Sequence, residues 1–483
     1  MPLNNREVIR QNFLARKWDA EMERMDEAQE KLDLYMDDYE EIIRDMMSKL
    51  FHPSNYERLY YHVNQSQNIL KRVVKEISTI YKVAPQRPLR DESERYAEIV
   101  RQTKLNTKMK KVNRYTNLLN ETIVKVGVRY GAIVYDIITP NNCMVLQNEL
   151  DPTKADAIVY MITRKNTAGD DGIEYHFWDI EGDYYIFDKD FRIMEVIYDA
   201  VENPCPYRDS RANLIMPFVV FHREEPDDSF WDQDSGRDLY NAAVMTGVKM
   251  TQFDYFFKTA SFKQIYAAGD KVEVPSKQLL DTLTVLQVKG ENASVGTLDL
   301  QAHLNQLKDA LVFQINSVIN NYGISADQWS LAISEMSGRA LKIRNRALLE
   351  YREDQLPLFR QYEEELFNTT RIVNNTWPGL FKKIPDKAEF SIDFGEIEFP
   401  EDPEDEIRIQ TKKLRSGIIS PGQFFQYFNP DIKDEKEAEK ELMKNLDKLQ
   451  KMREKYPQLE EALDYILGSW KSKEEPEEEE EEE

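Results

Sequence analysis

A mainly helical α+β fold follows from three observations on this chain of 483 residues. Apolar residues recur at helical spacing from Ile9 to Phe51 and again through long stretches after residue 236. Between residues 132 and 221 the pattern changes to short alternating runs of β-branched and aromatic residues separated by turn signals. With 41% hydrophobic residues, including 25 Tyr, 22 Phe and 6 Trp, there is ample material for a core, so wholesale disorder is excluded.

The elements follow in chain order. Ile9, Phe13, Trp18, Met22, Met25, Leu32, Tyr35, Tyr39, Ile42, Met46 and Leu50 line one face of one long or two stacked amphipathic helices, expected to pack on their own subunit rather than on a partner. A helix is predicted over 65–81, ended by Pro85 and Pro88, and another over 106–128, closing near Gly127 or Gly131. Short strands are predicted at 132–139, 157–164, 173–180, 183–188, 192–199 and 218–221. The acidic connection 224–236 is expected to expose Phe230-Trp231. Helices are predicted over 237–262 and 301–322, flanking an irregular segment with a strand-like 284–288, and a third very long one runs from Gly338 to about Asn375 with Pro357 inside it. Alternation from Glu389 to Phe399 predicts a late strand returning to the earlier sheet, and residues 404–470 read as helices turning at Ser416-Gly417 and Ser420-Pro421-Gly422. The final ten residues hold nine glutamates and are expected to be disordered.

Charge and chemistry narrow the function classes. There are 64 Lys+Arg against 88 Asp+Glu, a formal charge of −24, and −15 remains when the nine terminal glutamates are set aside. Such a chain does not grip DNA or an anionic membrane by general electrostatics, which requires basic side chains neutralising phosphates. Neither an export signal nor a membrane span is expected. No phosphate-binding glycine loop, nucleophile elbow or histidine metal motif occurs: His52, His62, His176, His222 and His303 are scattered, and Cys143 and Cys205 stand apart. Asp227, Asp228, Asp232 and Asp234 would be the first suspects for a metal-dependent nuclease, but they read as a solvated acidic loop. No enzyme, cofactor or metal is expected.

Three segments carry a family resemblance. Ser337-Gly338-Arg339-Ala340-Leu341-Lys342 opens a long charged helix through Arg344, Arg346, Tyr351, Phe359 and Leu366; residues 218–236 lead into Asp238-Leu239; and Gly417-Ile418-Ile419-Ser420 precedes Pro430-Asp431-Ile432-Lys433-Asp434-Glu435. In order and spacing, over roughly 55–455, these resemble portal proteins of tailed bacteriophages, of the siphophage type. That resemblance implies a portal-type architecture: an N-terminal helical arm (1–51), an α+β wing (52–235), stem helices (236–262 and 300–323) around a clip (263–299), a tunnel loop (324–337), a long wing helix with its returning strand (338–399), a helical crown (400–472) and the acidic tail (473–483). It further implies a ring, usually of twelve subunits, at one capsid vertex in the virion, assembled in the host cytoplasm. Double-stranded DNA would be packaged and ejected through it. Its partners would be the large terminase subunit, the head-completion adaptor, the major capsid protein and the scaffolding protein, with no membrane.

On this mapping Ser325, Asp327, Gln328, Trp329, Ser330, Ser334 and Glu335 line the channel, making weak contacts with successive phosphates. Arg339, Lys342, Arg344 and Arg346 sit at the start of a helix, the unfavourable end of its macrodipole for a cation. They are expected to pair with carboxylates of the same or a neighbouring subunit in preference to DNA. The competing reading is a non-viral helical scaffold or adaptor.

Overall fold

The computed structural model describes residues 5–64, 66–90, 93–165, 171–194, 205–232, 236–260, 264–268, 271–273, 287–290, 294–298, 304–324, 345–397, 403–429, 431–432 and 434–455. They fall into two units. The larger holds the described residues of Met1–Ser334 and Lys342–Glu398, the smaller those of Phe399–Glu483.

In the larger unit α1 (Asn5–Tyr35) and α2 (Glu40–Leu50) are separate helices, because Asp37 takes a left-handed φ of 69° between them. After α3 (Pro53–Leu59) comes α4 (Ile69–Ile77), shorter at both ends than the predicted 65–81. Asn68 caps it, accepting from the Lys71 N–H at 2.9 Å, and the Ser78 hydroxyl turns back to the Val74 carbonyl at 2.6 Å where the helix stops. Helices α5 (Ser93–Gln102) and α6 (Leu105–Leu119) follow.

The predicted helix over 106–128 is half wrong. It stops at Leu119, Asn120 adopts φ 71°, and Glu121–Arg129 is β1. This strand is the centre of a three-stranded antiparallel sheet, between β2 (Ala132–Ile138) and β7 (Phe218–His222). Because β1 is covered on both faces, with Lys125 buried among its apolar residues, it lacks the alternation that marks a half-exposed strand.

A second antiparallel sheet runs β3 (Cys143–Gln147), β4 (Ala155–Lys165), β5 (Asp171–Asp179), β6 (Tyr184–Asp188). The run predicted at 192–199 contributes only a bridge from Ile193 to Phe187; residues 195–199 lie outside the described residues. Helix α9 (Arg346–Thr376), with Pro357 inside it, lays Phe359, Tyr362, Leu366 and Phe367 into the main core over β1 and β7. Each such buried side chain contributes about 1.5–3 kcal/mol. In its described residues, 389–397, the late alternating segment does not return to a sheet: Phe390 and Asp393 bridge Leu89 and Gln86, in the extended stretch that Pro85 and Pro88 keep from being helical.

The arm packs on its own chain. Trp18 and Met25 cover one face of the four-stranded sheet against Tyr175 and Phe177, while Leu32, Leu34 and Tyr35 enter a second core with α4, α6 and α2. Phe230 and Trp231, expected outside, are 2% and 6% exposed, and the Arg24 guanidinium lies over the Trp231 ring at 4.0 Å.

The smaller unit consists of α10 (Pro403–Arg415), α11 (Pro421–Phe428) and α12 (Glu435–Lys455). Gly417 at φ 69° ends α10, and Ser420 opens α11 through a capping box with Gln423, with N–H to side-chain distances of 3.0 and 3.1 Å. Gly422 lets α11 approach α12, since a Cβ there would lie 2.6 Å from Glu439 Cγ. The tail from residue 456 lies outside the described residues.

Candidate functional site

Two helices project from the second core of the larger unit, α7 (Arg237–Ala260) and α8 (Leu304–Asn321). They pack antiparallel: the Tyr322 hydroxyl donates to Asp238 at 2.7 Å at one level, and Lys249 bonds Gln314 further along. Leu239, Ala243, Val244, Val248, Ile319 and Tyr322 root the pair. Gly247 admits Ile43 so closely that a Cβ would lie 2.5 Å from its Cδ1, which seats α2 against α7.

Beyond this root the helices lose their cover. Residues 305–310 are exposed, as are Phe256 (43%), Phe257 (58%), Val312 (46%) and Phe313 (74%). In a chain that is 31% charged, α8 contains only Lys308 and Asp309 among 18 residues, and α7 contains Arg237, Asp238, Lys249, Asp254 and Lys258 among 24. Between the helices the chain forms β8 (Gln264–Ala268) paired with β11 (Ser294–Leu298), and β9 (Lys271–Glu273) paired with β10 (Gln287–Lys289). Two charge-poor helices therefore carry a small antiparallel lobe.

Two charged clefts lie at the ends of α6. At its N-terminal end Arg87, Arg101, Lys104, Asn106 and Thr107 surround an opening. Arg87 is already engaged: Nε donates to Glu363 Oε2 at 2.9 Å and Nη2 to Oε1 at 2.6 Å, and the Tyr81 hydroxyl reaches Oε1 at 2.8 Å. At the other end Asn120, Glu121, His222, Glu224, Glu225, Asp227, Asp228 and Asp232 border a mainly acidic cleft, with Arg223 also in its lining. Its floor is Glu121, 3% exposed, whose Oε1 accepts the Asp232 N–H at 2.7 Å and whose carboxyl is pushed up to about 8, chiefly by burial. Burial likewise drives the neighbouring His222 imidazole down to about 4 and lowers Lys31 of the arm behind it.

The acidic residues suspected as metal ligands do not converge. Asp227, Asp228 and Asp232 form no ligand-distance group, and Asp234 lies outside the described residues. Among the described residues only Asp179, Glu181 and Asp183 bring three carboxylates together, in the β5–β6 turn where Asp179 accepts the Asp183 N–H at 2.9 Å. Cys143 is buried and its thiol is pushed up to about 12 by that burial, which makes it a poor nucleophile.

Most of the sequence-predicted site lies outside the described residues: Ser325, Asp327, Gln328, Trp329, Ser330, Ser334 and Glu335, with Arg339, Lys342 and Arg344. Arg346 is described. It is the first residue of α9 and pairs with Glu350 one turn on at 2.7 Å, both side chains exposed, an interaction contributing about 0.3–0.5 kcal/mol. The two clefts were missed. The acidic one depends on α6 ending at Asn120, and the 106–128 helix concealed that end.

No protein-family model matches the chain, and no curated protein matches it. Among solved structures, a chain of the virion of a native gene transfer agent particle is 11% identical, with 76% of this chain and 91% of that one covered at a TM-score of 0.42. A chain from the neck of an empty particle of this kind, computed with C6 symmetry, is 12% identical, with 76% and 90% covered at 0.41.

Proposed function

We propose that this protein is a portal subunit: a non-enzymatic ring component at one vertex of a phage-type capsid, through which double-stranded DNA is packaged and ejected. The observation that carries the reading is the α7–α8 pair, exposed along its outer half, with large apolar side chains in the open and seven charged residues among its 42, against 31% in the whole chain. Depletion of charge with enrichment of aromatics marks the core of a protein–protein interface, not a solvated surface. The apolar side chains are divided between Phe256 and Phe257 on α7 and Leu307, Val312 and Phe313 on α8. Contact between unlike patches is head-to-tail, and copies joined that way close into a ring when the rotation permits.

The remaining parts take their roles from that ring. The β8–β11 lobe, at the end of the paired helices, is the docking site for terminase and afterwards for the head-completion adaptor. The net charge of −24 per subunit keeps the wall from holding phosphates through counterion release, so that DNA can slide. Residues 324–337 form the tunnel loop, with Asp327, Gln328 and Trp329 at the constriction, and Arg339, Lys342 and Arg344 pair with carboxylates behind it. The major capsid and scaffolding proteins surround the ring in the virion. Among the described residues no helix is long and apolar enough to cross a membrane.

The test is native mass by size-exclusion chromatography with light scattering, followed by negative-stain imaging of the same fractions. The expected particle is an open ring of about a dozen 57.0 kDa subunits. A monomer or dimer that persists on co-expression with capsid and scaffolding proteins refutes the reading and leaves the scaffold or adaptor.

A further inference from the structure

The described helices of the smaller unit bury almost none of their apolar side chains. Among its described residues Ala438 is the only apolar side chain that is buried, while Ile409, Ile418, Tyr427, Phe428, Met443 and Leu446 are exposed. A helix in a protein is held chiefly by packing of its apolar face, and open apolar patches mark surfaces that another element covers. α11 supplies such packing to the first half of α12: Ser420 donates to Glu435 at 2.5 Å, and Gly422 faces Glu435 and Glu439. Over residues 441–455 no side chain described on α12 is buried, and Met443 and Leu446 are 64% and 51% exposed.

The sequence that follows α12 contains a matching stripe. Leu459, Leu463, Ile466, Leu467 and Trp470 stand at i, i+4, i+7, i+8 and i+11, the spacing of one helical face, with Glu460, Glu461 and Asp464 off it. Pro457 disfavours continuation of α12 through Tyr456, so the chain has a reason to turn there. Residues 456–458 then connect the two segments, a common length between antiparallel neighbours. As a helix, 459–470 is about 18 Å long, enough to run back along residues 444–455 and to bring Leu467 level with Leu446 and Trp470 level with Met443. Charge agrees: 444–455 hold five basic and two acidic residues, and 459–470 hold three acidic and no basic ones.

We propose that residues 459–470 fold back as an amphipathic helix on the second half of α12 and cover Met443 and Leu446. The occupant is this chain's own segment because its length matches the open part of α12, its charge opposes it, and a three-residue connection holds it at an effective concentration on the order of millimolar, above that of a second copy in dilute solution. The contact lies within the smaller unit and does not rest on the portal reading.

Paired cysteines in the full chain test the contact, the native Cys143 and Cys205 both being buried. Leu446→Cys with Leu467→Cys sits at one level of the proposed hairpin, whereas Leu446→Cys with Glu461→Cys places the second thiol on the opposite face. Under mild oxidation the first pair is expected to form a disulfide within one chain, read as a monomer on a non-reducing denaturing gel, at least about tenfold faster than the second pair and at a rate independent of protein concentration. Equal rates for the two pairs overturn the contact. A disulfide that links two chains and forms faster at higher concentration also overturns it, and gives the open face of α12 to a second copy. Hydrogen exchange provides a reading without added cysteines: Leu463→Glu with Ile466→Glu is expected to speed exchange over residues 441–455 at least about tenfold, while α6 and β1 of the larger unit keep the parent's protection. Unchanged exchange over 441–455 overturns the contact. Neither readout uses the mass of a ring, so the portal reading stands or falls separately.

Discussion

Replacing Glu363 by alanine tests the account of the larger unit's core. Glu363 is 0% exposed and holds the Arg87 guanidinium through two hydrogen bonds of 2.6 and 2.9 Å, with Tyr81 donating to the same carboxylate at 2.8 Å. Alanine leaves the guanidinium, 3% exposed, with Asn106 as its remaining side-chain partner and leaves the Tyr81 hydroxyl unpaired. Breaking one side of a buried pair costs about 3–5 kcal/mol, because the surviving charge stays desolvated. At a urea dependence of about 3 kcal/mol/M, the midpoint falls by roughly 1–1.7 M. The assay is urea unfolding followed by tryptophan fluorescence, with the denaturant slope checked for constancy. Replacing both partners, Arg87→Met with Glu363→Leu, removes the stranded charge and is expected to recover most of the loss. A single variant that shifts the midpoint by less than about 0.3 M, or a double variant as unstable as the single, would refute the reasoning.

The junction beneath the arm predicts a pH optimum. Glu121 is raised from 4.5 to about 8, so its contribution to stability is complete below 4.5 and is lost as pH rises through about 8. His222 is depressed from 6.5 to about 4, so its contribution is complete above 6.5 and is lost as pH falls through about 4. Glu121→Gln is expected to flatten the alkaline limb, gaining on the order of a few kcal/mol relative to the parent at pH 8.5, read from thermal melts between pH 4 and 9; an unchanged limb rejects the assignment. Gly247→Val collides with Ile43 and is expected to cost about 1–3 kcal/mol while loosening α2, seen as faster hydrogen exchange over residues 40–50; unchanged exchange there contradicts the seating. Deleting Asp327 to Trp329 is expected to leave ring mass unchanged while impairing DNA packaging or retention, and normal packaging by the deleted chain rejects the tunnel-loop role.

Legibility from sequence varied with how each element is covered. α7 and α8 emerged within two or three residues of their limits, since α7 keeps one face against the core and Gly and Pro punctuate the lobe between them. β1 was lost for the opposite reason: buried on both faces, Glu121 and Lys125 included, it shows no apolar–polar alternation to set it apart from the helix before it, and only Asn120 marks the break. The alternation in 389–399 was a sound sign of extended chain, but it could not identify residues 86–90 as the partner. Phe230 and Trp231 sit in an acidic run and read as exposed, until Arg24 from the distant arm covers the indole. The clefts unite residues such as Asn120 and Asp232, whose proximity depends on β7 pairing with β1. No local spacing records that.

The seating of the arm also sets an order of events during synthesis. Trp18 and Met25 leave the ribosome early, but the sheet they cover is finished only when Tyr175, Phe177 and Phe187 have been made, and Glu27 and Glu30 wait longer still for Arg237 and Tyr240. At about 5–20 residues per second, the interval between Trp18 and Tyr175 is roughly 10–30 s. For that time the arm is an amphipathic helix-former with its apolar stripe bare. In the nascent chain, the first fifty residues are therefore a segment long open to a chaperone or to a mistaken partner.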